Sequence, residues 1–180
     1  TATDDMLGRH IIEEIKDYQF ADYSAYFGYY LGNYYLLLFF PDAWSYELFE
    51  VYLPGDKTQF STDYEPFGGR KEYAFDTQGG YYTARLAVAE KLREIRRQAS
   101  VLALRFITDE YTLPLGVWVT REASRKSAQS KPITFASREL LLQYARIFVK
   151  RHFNYDADFL LTKSRLLKNL GKQQRLSSFI

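Results

Sequence analysis

The sequence contains no cysteine, only two histidines and a single methionine. Without cysteine there are no disulfides, no thiolate metal sites and no thiol nucleophile. A disulfide-stapled secreted domain is thereby excluded, and a reducing, intracellular setting is compatible. His10 and His152 stand far apart with no H-x-x-x-H or H-x-H spacing, so neither is expected to bind a metal. Long hydrophobic runs are missing as well. The longest, Tyr34 to Phe40, stops at Pro41, far short of the roughly 20 residues a membrane helix needs. Pro41-Asp42 followed by Glu50-Val51-Tyr52 falls short of the nuclease pattern P-D…E-x-K, because the lysine is absent and Tyr52 cannot replace its charge. No signal-like segment opens the chain. The expectation is a soluble, cytoplasmic protein with no membrane partner. The start at Thr1, with Met6 as the one methionine, leads us to expect a portion of a longer chain.

Aromatic residues are dense, 18% of the 180 residues, with 16 Tyr and 14 Phe. A tyrosine needs a polar exit for its hydroxyl, so many of these rings are expected at a surface or groove. The net charge of +2 conceals a polarity. Residues 1–80 hold 14 acidic residues against 5 basic, whereas residues 81–180 hold 19 basic against 8 acidic. Two readings follow: the C-terminal half presents a basic surface to a polyanion, or the halves neutralise each other internally.

The pattern along the chain predicts an α+β fold, a mostly antiparallel sheet with packed helices, in the order αββ(β)αββαα. Asp5 is expected to cap a first helix carrying Leu7, Ile11, Ile12 and Ile15. Residues 21–35, broken by Gly28 and Gly32, read as extended or looped backbone leading into a buried strand, Tyr34 to Phe40. A second strand runs from Tyr46 to Leu53. Residues 57–70 read as a surface loop, and Glu72 to Phe75 as a short strand. The longest helix opens at Gly79-Gly80. Val101 to Ile107, apolar on both faces apart from Arg105, reads as a central strand. Leu115 to Thr120 alternates like its partner strand, and Arg121 to Ala128 reads as a short basic helix. Ser137 caps a helix to about Arg151, and a last helix starts at Asp156 or Ala157 and ends at Gly171. Residues 1–171 are taken as one domain and 172–180 as a separate peptide.

Two places suit an anion. Gly79 and Gly80 before a helix expose backbone N–H groups, with Arg85 in the second turn and Arg70 and Lys71 approaching across the sheet. The same glycine pair equally fits a tight strand-to-helix turn. Arg121, Glu122, Arg125 and Lys126 follow Trp118, and aromatic-plus-arginine surfaces suit bases and phosphates, although Trp118 fits a core position equally well.

The chain closes on Gln173, Leu176, Phe179 and Ile180 in a Q-x-x-L-x-x-F-I pattern, which looks like the peptide that docks replication and repair proteins on the sliding clamp. One helical or 3₁₀ turn puts Leu176, Phe179 and Ile180 on one side as an apolar plug, with the Gln173 amide at its rim. A flexible tail that orders on its partner is expected. The alternative is a segment folded back on the domain's own core.

Further segments carry a family resemblance: Gly68-Gly69-Arg70-Lys71 with Tyr73, Gly79-Gly80-Tyr81-Tyr82-Thr83-Ala84-Arg85-Leu86-Ala87-Val88, and Pro114-Leu115-Gly116-Val117-Trp118-Val119-Thr120-Arg121-Glu122. Together with the terminal peptide they resemble the archaeal DNA repair protein family Nre. The resemblance runs from about Tyr34 to Ile180 and matches the later part of a longer family protein, without that family's cysteine-containing N-terminal segment. It implies a DNA-damage-response protein that binds the clamp PCNA through residues 173–180; it does not imply a reaction, and cofactors stay open.

Three functions are therefore open. The first is a clamp-recruited repair factor with a DNA- or nucleotide-binding surface. The second is an enzyme acting on DNA or a nucleotide where Gly79, Gly80, Arg70, Tyr82, Arg85 and Arg121 converge, with Glu122 as general base or electrostatic stabiliser. The third is a protein-interaction scaffold whose basic surface meets an acidic partner.

Overall fold

The computed structural model of the chain describes residues 1–112 and 115–172. Its centre is a six-stranded sheet in the order β4-β3-β5-β2-β1-β6, formed by β1 Ser24–Tyr30, β2 Asn33–Phe40, β3 Ser45–Tyr52, β4 Ser61–Glu65, β5 Ser100–Ile107 and β6 Ile133–Thr134. All neighbours are antiparallel except β3 and β5. Helices α1 Ala2–Ile15, α2 Gln78–Ile95 and α3 Val117–Ala128 cover one face, and α4 Arg138–Phe153, α5 Asp158–Leu161 and α6 Arg165–Asn169 cover the other. The class is α+β.

The alternation of side chains along the central strands builds both cores at once. On β5, Val101 and Ala103 pack toward α1–α3 while Leu102, Leu104 and Phe106 pack toward α4–α6. On β2, Tyr35, Leu37 and Phe39 face the first layer and Leu36, Leu38 and Phe40 the second. Strand β5 lies between β2 and β3, so a strand from the later half of the chain separates two consecutive strands of the earlier half. After β4, helix α2 carries the chain back across the sheet so that β5 runs parallel to β3.

Five differences from the sequence reading have local physical causes. The last helix, expected to run unbroken to Gly171, is two short helices, α5 and α6, because Ser164 takes extended backbone and caps the second by accepting from Leu167 N. Residues 24–30 are a full strand, paired with β2 through a two-residue turn at Leu31 and Gly32, both with positive φ, which matches the twist of a tight hairpin. Gly28 is no breaker: a Cβ there would come within 2.7 Å of the Ser127 backbone, so α3 packs directly on β1. The segment read as a loop over 57–70 contains β4, and Glu72 to Phe75 form no strand. The strand expected over Leu115 to Thr120 is instead the start of α3. Its buried Val119, Thr120, Ala123, Ser124, Ser127 and Ala128 recur at helical spacing, and their small size permits the close approach to β1. Finally, α1 has Thr1 at its N-cap, and Asp5 lies within its first turn.

Candidate functional site: a paired seam and an unpaired basic layer

Helix α2 lies across a seam of charged residues on the sheet. Asp63 of β4 accepts from Thr77 N at 2.8 Å and from its hydroxyl at 2.9 Å, fixing the turn that starts the helix, and pairs with Arg70 at 2.9 Å. Gly80 then passes so close to β3 that a Cβ would collide with Glu50 Oε1 and sit 3.0 Å from Arg105 Nη1. Glu50 and Arg105 pair at 2.5 Å, and Arg105 also donates twice to Asn33 Oδ1. The glycine pair is thus a close-packing device against a buried ion pair. It borders a cleft of about 510 Å³ that also includes Glu50, Arg105, Thr77 and Thr120.

Arg85 belongs to a different part of the seam. Its residue is 3% exposed, and its Nη groups reach Glu65 Oε2 at 2.7 Å and Asp5 Oδ1 at 2.5 Å. Glu65 in turn accepts from Trp44 Nε1 at 3.2 Å and Tyr81 O–H at 2.9 Å. Burial alone would lower the Arg85 pKa, but Glu65 and Asp5 hold the guanidinium above its ordinary range. Tyr81 moves upward, chiefly by burial and then by the charge of Glu65, and stays protonated as a donor.

The proposed anion residues therefore separate. Arg70, Tyr82 and Arg85 share the lining of one cavity of about 240 Å³, whereas Gly79 and Gly80 border the other cleft. Arg121, expected beside the glycines, makes a two-bond pair with Asp4 at 3.0 and 2.7 Å. Arg125 does the same with Glu90 at 3.0 and 2.9 Å. Trp118 is 44% exposed and meets Tyr30 edge-on, with Lys126 4.0 Å from the centre of the Tyr30 ring. Lys71 is exposed, and Glu122 lies on α3 between the paired arginines. Sequence reasoning offered Glu50 or Glu72 as an acid partner for Arg85; it missed Glu65, the actual partner, and the pairing of Glu50 with Arg105. Strand alternation was the available signal, since Glu50 shares the buried face of Tyr46 and Leu48.

The α4–α6 layer is different. Residues 138–172 hold eight basic residues against three acidic ones. Among the described residues the layer has one ion pair, Arg146 with Asp158 at 2.7 Å, and both members are nearly half exposed. Lys150, Arg151, Lys163, Arg165 and Lys168 are exposed and have no acid within salt-bridge range among the described residues. Lys163 lies over Phe159 at 4.1 Å and Arg165 over Tyr64 at 4.9 Å, so aromatic faces support their stems while the charges stay in water. Two adjoining clefts of about 470 and 290 Å³ share Arg146 and Asp158; Lys150 and Arg151 line the first, Arg138 and Lys168 the second. His152 stacks on Phe148 at 3.8 Å near the end of α4.

Gly171 N donates to Asp42 Oδ2 at 2.7 Å, which pins the described chain end beside this layer. Gln173, Leu176, Phe179 and Ile180 lie outside the described residues. Among the described residues, no group of three His, Asp or Glu side chains is placed to hold a metal, and no helix is long and apolar enough to cross a membrane.

Comparison with known proteins covers the whole chain. Residues 1–58 match the archaeal Nre N-terminal family and residues 65–179 the archaeal Nre C-terminal family. The likeness thus begins well before Tyr34, where the sequence reading placed its start. DNA repair protein NreB of Archaeoglobus fulgidus is 39% identical over all of this chain and 46% of its own length. DNA repair protein NreA of the same organism is 37% identical over 76% of this chain and 36% of its own, and NreA of Haloferax volcanii 33% identical over 73% and 33%. The chain spans less than half the length of these relatives. No solved structure matches it. The segments matching the two Nre families interleave in one sheet, with β5 between β2 and β3. The chain belongs to the archaeal Nre family.

Proposed function

We propose that this chain is the clamp- and DNA-engaging part of a DNA repair factor, recruited to PCNA by residues 173–180 and holding the DNA backbone with its α4–α6 face. The naming of its relatives as DNA repair proteins supports the repair role. The Q-x-x-L-x-x-F-I pattern supports the clamp, and Asp42 tethers the root of that peptide beside the basic layer. The observation that carries the DNA-facing half is the pairing contrast. Arg70, Arg85, Arg105, Arg121 and Arg125 are neutralised within the fold, while Lys150, Arg151, Lys163, Arg165 and Lys168 keep their charge available to phosphates. Backbone contact of this kind is electrostatic and independent of sequence. The role is one of recruitment and binding, and it is cytoplasmic in a cell without a nucleus.

The test has two arms. Anisotropy titration of duplex DNA at increasing salt should show affinity falling steeply. Replacing Lys150, Arg151 and Lys168 by Ala should reduce the slope by roughly one per lost phosphate contact. Calorimetry with PCNA should show binding that disappears when Leu176 and Phe179 become Ala. DNA binding that is absent at low salt, or insensitive to salt, transfers the basic layer to the scaffold reading. Undiminished clamp binding by the Leu176 and Phe179 variant removes the recruitment half.

A further inference from the structure

Beside its cations, the α4–α6 face carries a continuous row of aromatic rings at the turn end of the β1–β2 hairpin. Ala25, Phe27 and Tyr29 alternate onto this face along β1, and Tyr34, Leu36 and Leu38 along β2. Tyr29 and its cross-strand partner Tyr34 stack with centroids 5.0 Å apart and planes 17° apart. Tyr34 stacks on Phe27 at 6.2 Å, and Phe27 meets Phe148 of α4 edge-on at 4.5 Å. His152 lies 3.8 Å from Phe148, with planes 17° apart, and 5.7 Å from Phe27.

The two ends of the row are its exposed members. Tyr29 is 57% exposed and His152 is exposed, whereas Phe27, Tyr34 and Phe148 are half-buried. The sheet ends beside Tyr29, because β6 pairs with β1 only at Ser24 and Ala25. Tyr29 therefore rests one face on Tyr34 and turns the other to the open edge, and His152 does the same on Phe148. Each is a flat ring held in place by a second ring, a preorganised stacking surface.

The charges around the row are polarised. Lys150 and Arg151 precede His152, and Lys131 leads into β6; all three are exposed, with no acid within salt-bridge range among the described residues. The nearby acids are Asp109 and Glu110 at the hairpin end, where Glu110 accepts from the Tyr34 hydroxyl at 3.1 Å, and Asp156, which accepts from Asp158 N at 3.0 Å. Phosphates are drawn to the α4 side of the row and repelled from its hairpin end, which directs a strand's backbone along Lys150 and Arg151 and its bases over the rings.

We propose that the DNA held by this face is single-stranded, with unpaired bases stacking on Tyr29 and His152 while Lys150, Arg151 and Lys131 contact the phosphates. In a duplex the base faces are covered by their neighbours and the row has nothing to stack on, whereas an unpaired base offers its face to any ring. The proposal rests on the DNA-facing reading of α4–α6 and names the form of DNA that it takes.

The test is anisotropy titration, at one fixed salt concentration, of an oligothymidylate of about 12 nucleotides and of a duplex of the same length. The proteins compared are the wild type, Tyr29→Ala, Tyr29→Phe, His152→Ala and the double variant Lys150→Ala/Arg151→Ala, each verified as folded. The expected result is that the wild type binds the single strand at least tenfold more tightly than the duplex. Tyr29→Ala and His152→Ala should each weaken single-strand binding about tenfold and leave duplex binding as it was. Tyr29→Phe, which keeps the ring, should retain it, and the double variant should weaken both forms. Equal binding of the two forms, or a single-strand affinity that Tyr29→Ala and His152→Ala leave unchanged, overturns the proposal while the DNA-facing reading stands. Absence of binding to either form overturns both and leaves the face to a protein partner.

Discussion

The seam beneath α1–α3 and the α4–α6 surface handle positive charge in opposite ways, while Arg93, Arg96, Arg97 and Lys126 on the outside of α2 and α3 are exposed and unpaired among the described residues. Beneath α1–α3, arginines from the later part of the chain meet carboxylates mostly from the earlier part: Arg85 with Glu65 and Asp5, Arg105 with Glu50, Arg121 with Asp4. On α4–α6 the cations outnumber the acids, and all but Arg146 stand without an acid partner among the described residues. Internal neutralisation thus describes the seam, and the polyanion surface is what we propose for the α4–α6 layer. The difference teaches that a run of arginine in a sequence does not locate a binding surface. What matters is whether strand register supplies a carboxylate beside it.

If this comparison holds, its largest consequence is for stability. Arg85→Ala leaves Glu65 buried without its guanidinium, and we expect a loss of about 3–5 kcal/mol in denaturant unfolding. Lys150→Ala should change stability by no more than about 0.5 kcal/mol, as for an exposed residue without partners. A mild effect of Arg85→Ala would break the contrast at its deepest point.

The next effect is steric. Gly28→Ala places a Cβ within 2.7 Å of the Ser127 backbone, so α3 must shift off β1. We expect about 1–3 kcal/mol of destabilisation, read by thermal unfolding. A neutral result would mean that the layer carrying Arg121 and Arg125 is not held at the distance its ion pairs require.

The smallest effect is on pH dependence. Burial would raise the Asp4 carboxyl, but the group is held below its ordinary range, with the Arg121 pair the foremost lowering cause. A depressed carboxylate contributes stability above its unfolded pKa and loses it as pH falls through the folded value. Asp4→Asn should therefore flatten the acid limb of the stability profile, below about pH 4, relative to the wild type. An unchanged acid limb would show that this pair contributes nothing to docking α1.

Much of the architecture was legible. The central strand at Val101 to Ile107, the opening of α2 at Gly79-Gly80 and the Ser137 cap of α4, whose side chain accepts from Leu140 N, are local signals that the structure keeps. Strand β1 was obscured because Gly28 and Gly32 look like punctuation, whereas one admits a helix and the other completes a hairpin turn. Helix α3 was hidden by a short alternation at its start, and only its small residues over the next turns reveal the packed face. The seam could not be read locally, because Arg85 finds its partners 20 and 80 residues away, at positions set by sheet order. The grouping of Arg70, Tyr82 and Arg85 was anticipated in part, although with Glu65 in the lining in place of Glu122.

The most direct test of the account compares two double variants that remove equal charge from opposite faces, Arg121→Ala/Arg125→Ala on α3 and Lys150→Ala/Arg151→Ala on α4. For each, the slope of log affinity for duplex DNA against log salt is measured on protein verified as folded. The account predicts that the α3 variant keeps the wild-type slope, because its arginines already neutralise Asp4 and Glu90, and that the α4 variant loses roughly two units. A slope reduced in the α3 variant and preserved in the α4 variant would contradict it.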